Sequence, residues 1–228
     1  MPELNEAKMR AVHKIQIAQQ LQFKSIPEKG ITVELLGKKF TILRNVFFLP
    51  EAVSAFIEKM QINQDETVLD IGTGTGVIAI FSIYKGASKA VAIDINPAAV
   101  RNAKINSKQH GVADKIDIRL SDIFEAIGKE EKFDVITANL PFHNKKAVDI
   151  VEASMYDTNF QSNRRFLHGA SKHLTTNGRI YMWQSNFGAL EEMKMLATEN
   201  GFQVKKIGEN KMPAPDPRIF YLFELKKI

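Results

Sequence analysis

The chain has 228 residues, of which 44% are apolar and 25% charged, with a net charge of +5 and no cysteine. A chain of this length buries roughly 70–75% of its unfolded surface and needs no staples, as one large domain or a domain plus a small appendage. Lack of cysteine excludes disulfides, thiolate metal sites and a cysteine nucleophile and fits a reducing compartment, while the mild positive charge suits solubility or an anionic partner such as RNA.

The start, MPELNEAKMR, has no apolar core like that of a signal peptide. The longest apolar run, VIAIFSIY at 77–84, is too short to span a bilayer. The expected location is cytoplasmic, with no membrane partner. Residues 3–24 are predicted as a helix, with Leu4, Ala7, Ala11, Ile15 and Ala18 at helical spacing. SIPEKG breaks that pattern, and ITVELLGKKFTIL (31–43) alternates around Gly37 and predicts a β-hairpin. Pro50 opens a helix over 51–61. The expected division is an N-terminal helix and hairpin extension, 1–49, ahead of a main domain, 50–228.

From residue 66 strand-like and helix-like segments alternate. TVLDI precedes a helix from Gly76, and AVAID precedes a helix from Pro97. KIDIRL, FDVITANL, a helix near 160–174, GRIYMWQ and a helix over 187–200 follow. This alternation predicts an α/β fold, a parallel sheet with helices on both faces. The last two strands, FQVKKIGEN and IFYLFELKK, are joined only by KMPAPDPR, too short for a parallel crossover. The final strand must therefore run antiparallel to its predecessor.

The loop DIGTGTG (70–76) follows the first strand of this series and opens a helix. Its alternate glycines permit a tight turn and close approach of a ligand. A dinucleotide fingerprint would place the third glycine at position 77, which is Val77 here. Asp70 before the turn would repel a pyrophosphate and help hold a cationic group. Both features argue for a ligand with a positive centre and no phosphate. Asp94 ends the second strand, 24 residues after Asp70, where a carboxylate accepts both hydroxyls of a ribose. Asp122 in LSDIF ends the third and can reach an adenine edge.

These blocks, VLDIGTGTGVIAI, AIDINPAAVRNAKINSKQHGV, SDIF and NLPF, resemble in order the signatures of class I S-adenosylmethionine (SAM)-dependent methyltransferases, over residues 46–226. The nearest likeness is to the small-domain group, which includes release-factor glutamine and ribosomal-RNA guanine-N methyltransferases. The resemblance implies a seven-stranded Rossmann-like sheet with the last strand antiparallel and SAM as cofactor. It implies a cofactor site built from Asp70, Gly72, Thr73, Gly74, Thr75 and Gly76, then Asp94 with Ile95, Asp122 with Ile123, and Asn139. It also implies an acceptor motif, Asn139, Leu140, Pro141 and Phe142, where the family has Asn-Pro-Pro-Tyr/Phe.

The chemistry accounts for the residue types in that motif. A planar acceptor nitrogen must pyramidalise before it attacks the sulfonium methyl in line. The Asn139 amide oxygen and the Leu140 carbonyl take hydrogen bonds from its two N–H groups, Pro141 stiffens the turn, and Phe142 offers a face for stacking. Leu140 departs from the family proline, which keeps the carbonyl and loses rigidity. His143 follows as an alternative general base. The five histidines show no metal-ligand spacing, so no metal is expected.

Phe47 and Phe48 in FFLP read as core or as a cover for the methionine end of SAM. Lys145, Lys146, Arg164 and Arg165 read as phosphate contacts or as a solvated face. PAPDPR (213–218) reads as an access loop or a plain turn. No long insertion separates Phe142 from the next strand near 179, so no lid is expected there, and only the N-terminal segment 1–45 is left to cover the site. The expected activity is SAM-dependent methyl transfer to an amide or exocyclic amine nitrogen of a protein or RNA. The alternatives are a small-molecule acceptor and a non-catalytic binding subunit.

Overall fold

The computed structural model describes residues 4–228; the predicted first position of the N-terminal helix, residue 3, lies outside them. Helix α1, Glu6–Ser25, starts at Asn5, whose side chain accepts the Lys8 N–H. Strands β1, Ile31–Leu35, and β2, Lys38–Ile42, pair antiparallel around Leu36 and Gly37, both at positive φ. Helix α2, Pro50–Lys59, has proline in its first turn.

The main sheet and its helices follow in alternation: β3, Thr67–Ile71; α3, Val77–Tyr84; β4, Lys89–Asp94; α4, Pro97–Gln109; β5, Ile116–Leu120; and β6, Phe133–Ala138. The rest is α5, Gln161–Ala170; β7, Leu174–Ser185; α6, Leu190–Glu199; β8, Phe202–Lys211; and β9, Ile219–Lys227. The seven strands lie in the order β5-β4-β3-β6-β7-β9-β8. Strands β3 to β7 are parallel, and β9 runs antiparallel to both β7 and β8. The loop-length argument thus gave the right direction for β9, although β9 inserts between β7 and β8 and leaves β8 at the edge.

Strand residues alternate between two apolar clusters. Tyr181 and Trp183 pack with Phe56 of α2 and Ile78 of α3 on one face. Ile180 and Met182 pack with Phe166 of α5 and Met193 of α6 on the other. The helix predicted to reach 174 stops at Ala170; a 3-10 turn, Ser171–His173, intervenes, and β7 starts at Leu174. The next helix begins at Leu190, because the Asn186 side chain binds the Ile219 N–H and the Pro217 carbonyl and turns the chain first.

The hairpin is joined to α4 by side-chain amides. Asn106 accepts the Thr41 N–H at 2.8 Å and donates to the Thr41 and Thr75 carbonyls at 2.9 and 2.8 Å. Asn102, one turn earlier, accepts the Leu43 N–H and donates to the Thr41 carbonyl, at 2.8 and 2.7 Å. Both are fully buried. The free edge of β2 is thus completed by a helix face, and the same ladder reaches the glycine turn at Thr75. Phe40 of the hairpin packs on Phe81 of α3 and shares the main core.

The strand order reverses between β3 and β6, and ligands bind such sheets in the crevice beyond the carboxyl ends of those strands. Asn106→Ala should strip partners from buried backbone groups at Thr41 and Thr75 and lower stability by about 2–4 kcal/mol in urea unfolding.

Candidate active site

Beyond β3 the chain turns sharply enough that the Gly72 and Thr73 N–H groups both donate to the Ile93 carbonyl, at 3.0 and 2.9 Å. Gly72 has φ +72°, and a Cβ there would stand 3.4 Å from the Asn139 carbonyl oxygen. The turn and the acceptor motif therefore abut, and glycine meets both the conformation and the contact. Gly76 is different. A Cβ there would meet the Ala103 Cβ at 2.9 Å, so this glycine permits α3 to approach α4. Gly72, Thr73, Gly74 and Thr75 line a cavity of about 350 Å³, whereas Gly76 does not.

Asp70 also lies away from the cavity, in contrast to the expectation of a carboxylate facing a cationic ligand. It is fully buried behind the turn. Its oxygens accept the Thr73 hydroxyl at 2.6 Å and the Thr137 hydroxyl at 2.7 Å. Burial raises its pKa from 3.8 to about 6, with the Asp94 charge adding to the rise and the threonine hydrogen bonds opposing it.

Asp94 lines the cavity at the tip of β4. Its Oδ2 accepts the Gly74 N–H at 2.8 Å and its Oδ1 the Asn96 N–H at 2.9 Å. Each oxygen keeps acceptor capacity for a ligand hydroxyl. Burial pushes this carboxyl up, against the pull of those backbone N–H groups. Ile95, 51% exposed, and Ile123 bring apolar side chains to the same cavity. Asp122 lines it too, but its Oδ2 is held by Arg165 at 2.6 Å, so only part of its acceptor capacity is left for an adenine edge.

Asn139, Leu140, Pro141 and Phe142 all line the cavity. Among the described residues neither the Asn139 amide nor the Leu140 carbonyl has a hydrogen-bond partner. The rigidity that a second proline would give comes from side chains instead. Asn163 donates to the Pro141 carbonyl at 2.7 Å and is itself fixed by Asp157 at 2.8 Å and Gln184 at 3.1 Å. Leu140 is buried in the core. Phe142 meets Phe187 and Phe220 edge-on, within an aromatic wall that includes Trp183.

The acceptor side is covered, contrary to the expectation of no lid after Phe142. Residues 143–160 make two 3-10 turns and line the cavity through Ile150, Met155 and Tyr156, and α1 lies against this segment. Gln16 and Gln19 of α1 reach the cavity. Gln16 accepts from His143 Nδ1 at 2.7 Å, Gln19 accepts from Arg218 at 3.0 Å, and Lys24 pairs with Asp149 at 2.7 Å. The face of α1 that is buried carries Val12, Gln16, Gln20 and Phe23, while Ala7 and Ala18 of the predicted stripe are exposed. His143 is thereby tied to α1 and does not line the cavity; burial lowers its pKa, helped by His13 and Lys145.

Sequence reasoning missed Gln16, Gln19, Tyr156 and Trp183, which carry no motif. Arg218 lay in a stretch it had weighed as an access loop, and this residue lines the cavity while clamped by Asp216. Phe47 and Phe48 line the cavity, the Phe47 carbonyl oxygen standing 3.5 Å from where a Cβ on Gly74 would be, and Phe48 belongs to the core. The cations after the motif are largely engaged. Arg164 pairs with Glu192, Arg165 with Asp122 and Glu125, and Lys145 sits 4.5 Å over the Tyr156 ring. Among the described residues no group of three His, Cys, Asp or Glu is placed to hold a metal, and no helix is long and apolar enough to cross a membrane.

The sheet with its antiparallel β9, the glycine turn at the switch point and a strand-ending carboxylate bound to that turn define a SAM-dependent methyltransferase. The chain belongs to the methyltransferase small-domain family, whose profile matches residues 48–208. It is 30% identical over 187 residues to a Methanocaldococcus jannaschii protein provisionally named a protein N5-glutamine methyltransferase, covering 79% of this chain and 93% of that one. It is 30% identical over 158 residues to the release factor glutamine methyltransferase of Cereibacter sphaeroides, covering 64% of this chain and 56% of that protein. The T. thermophilus 16S rRNA N2 methyltransferase, solved with AdoMet and guanosine, shares the fold with a TM-score of 0.65 at 21% identity, over 87% of this chain and 50% of that one.

Because Asp70 binds its proton more tightly in the folded state, its contribution to stability is fully present below its ordinary pKa and is lost as pH rises through about 6. Asp70→Asn removes that titration. Urea unfolding between about pH 4 and 7 should show a flatter decline in the variant, by about 3 kcal/mol at most. Equal slopes in both proteins would contradict this role for the carboxyl.

Proposed function

We propose that this enzyme methylates an amide nitrogen presented by a protein, with Asn139 and the Leu140 carbonyl receiving the acceptor N–H groups. The observation that carries the reading is the unpartnered Asn139 amide in the cavity, against the turn at Gly72. SAM, when bound, supplies a sulfonium methyl group. Asp94 is assigned the ribose hydroxyls, Ile95 and Ile123 the flanks of the adenine, and the residues from Gly72 to Thr75 the backbone wall beside the methionine moiety. Pro141, held by Asn163, keeps the Leu140 carbonyl aimed. Asn139 cannot take a proton and His143 is bound to Gln16, so catalysis rests on positioning and on directed dipoles.

Protein is preferred to RNA for two reasons. The relatives named above for glutamine methylation support it, and so does the engagement of Arg164 and Arg165 in ion pairs, which leaves few free cations for phosphates. A small-molecule acceptor is the second reading, favoured by the cover that α1 and residues 143–160 form over the cavity. Incubation with tritiated SAM and a cell extract, separated into protein, RNA and small molecules, distinguishes them. Acid hydrolysis of a methylated amide releases labelled methylamine, whereas a methylated base keeps its label. Tritium confined to RNA or small molecules would overturn the protein reading.

Asn139→Ala should lower turnover by about 10²–10³ while leaving SAM affinity within a few-fold. Asp94→Ala should instead weaken SAM binding by roughly 2–4 kcal/mol in calorimetry, through loss of two charge-assisted hydrogen bonds. An unchanged dissociation constant would refute the ribose assignment.

A further inference from the structure

The two strand-end acids of the site are held in different ways. Asp94 is fixed by the backbone, through the Gly74 and Asn96 N–H groups. Asp122 lies two residues past the end of β5. Among the described residues its carboxylate has one partner, the Arg165 guanidinium, whose Nη1 donates to Oδ2 at 2.6 Å. The other arm of that guanidinium, Nη2, donates to Glu125 Oε1 at 3.2 Å. Arg165 therefore spans the turn that follows β5. It stands two residues after Asn163 in α5, and Asp157 binds both the N–H and the side-chain amide of Asn163, so the base of the guanidinium is firm. Asp122, Ile123 and Arg165 all line the cavity. The Arg165 and Asp122 side chains are 48% and 32% exposed, and a pair so open to water adds little to stability. What the pair does fix is direction: held at Oδ2, the carboxylate cannot swing freely and keeps Oδ1 without a partner.

We propose that Arg165 is a positioning residue for the cofactor: it orients Asp122 so that the open oxygen takes an N–H of the adenine 6-amino group, and it thereby sets selectivity for a 6-aminopurine. The proposal rests on the cofactor placement above, with the ribose at Asp94 and the adenine between Ile95 and Ile123. A carboxylate paired with a guanidinium is an acceptor only, and a guanidinium is a donor only. The 6-amino group is a donor, so it is served by Asp122, and Arg165 acts through that carboxylate. A purine with hydrogen at the same position offers Asp122 nothing. Without Arg165 the carboxylate turns toward water, and the site reads the 6-position poorly.

The test is titration calorimetry of the full chain and two variants, Arg165→Ala and Arg165→Lys. The ligands are S-adenosylhomocysteine and its analogue with hydrogen in place of the 6-amino group. The wild type should bind the parent compound about tenfold or more tightly than the analogue, because a site built to pair with an N–H loses that pairing. Arg165→Ala should weaken the parent by about tenfold and leave the analogue within about twofold, which brings the ratio near unity. Arg165→Lys should keep part of the ratio, because an ammonium group can pair with Asp122 but lacks the fork that also holds Glu125. A ratio unchanged in Arg165→Ala would overturn the role of Arg165 and spare the adenine placement. An equal loss for both ligands would overturn it too, since a general effect of charge or fold does not tell the ligands apart. A wild-type ratio near unity would overturn the adenine placement against Asp122, and the proposal with it. No acceptor enters the titration, so the protein-amide reading is tested separately.

Discussion

The carboxyl of Asp70 is the joint on which the two halves of the site depend. It lies in β3 opposite Thr137 of β6 in the sheet register, and it accepts hydroxyls from Thr137 and from Thr73 in the glycine turn. Two residues beyond Thr137 the chain reaches Asn139, and one residue before Thr73 it reaches Gly72, whose missing Cβ leaves the Asn139 carbonyl room. One buried group therefore sets the spacing between the glycine turn, proposed to hold the cofactor, and the Asn139–Phe142 motif, proposed to receive the acceptor. In-line methyl transfer is sensitive to that spacing, since about 1 Å of misplacement can lower a rate by about 10²-fold. A leucine at this position would fill the space but would join nothing.

The motif itself is supported by a second polar network. A turn with one proline in place of two would leave the Leu140 carbonyl free to rock. Here Asn163 pins the next carbonyl, and Asp157 and Gln184 pin Asn163, all in the buried layer between α5 and β7. Such networks specify one arrangement only when their members are satisfied together. The Asp157 carboxylate meets this demand in part by accepting the Ser162 and Asn163 backbone N–H groups at the start of α5, where the helix dipole also favours it. Rigidity has moved from the backbone to a side-chain cluster some twenty residues downstream.

Much of this was legible in the sequence, for reasons particular residues make plain. The alternating strands and helices, the turn at 70–76 and the direction of β9 follow from periodicity, glycine spacing and loop length, which are local. The place of Asp94 at the cavity follows from its position at the end of the strand after the glycine turn, where it also binds the Gly74 and Asn96 N–H groups. Asp70 was read one step too simply: its place before the turn was visible, but whether it faces a ligand or Thr137 depends on strand pairing. The same holds for Gly76, whose neighbour Ala103 comes from α4. The buried stripe of α1 is not legible from apolar periodicity, because it holds Gln16 and Gln20. Cations after the motif looked free because Glu192, Asp122 and Glu125 approach them only in the fold.

The composition of that buried face has an energetic consequence. A buried aliphatic or aromatic side chain contributes roughly 1.5–3 kcal/mol, and α1 buries only Val12 and Phe23 in this way besides its two amides. The Gln20 Nε2 and the Tyr156 hydroxyl are both buried without partners, and an unmade hydrogen bond costs about 1–3 kcal/mol for each such group. Gln16, Gln19 and Lys24 hold the helix through polar ties that water can replace. The α1 cover thus lies at the low-stability end of the molecule, far from the doubly packed strands β3 and β6. A site that must load a cofactor and an acceptor and then release two products needs one wall that yields before the others do. The amide-bearing face of α1 is suited to be that wall, whereas the carboxyl of Asp70 and the amide of Asn163 are hydrogen-bonded to their neighbours, with the Gln184 Oε1 beside them left without a partner.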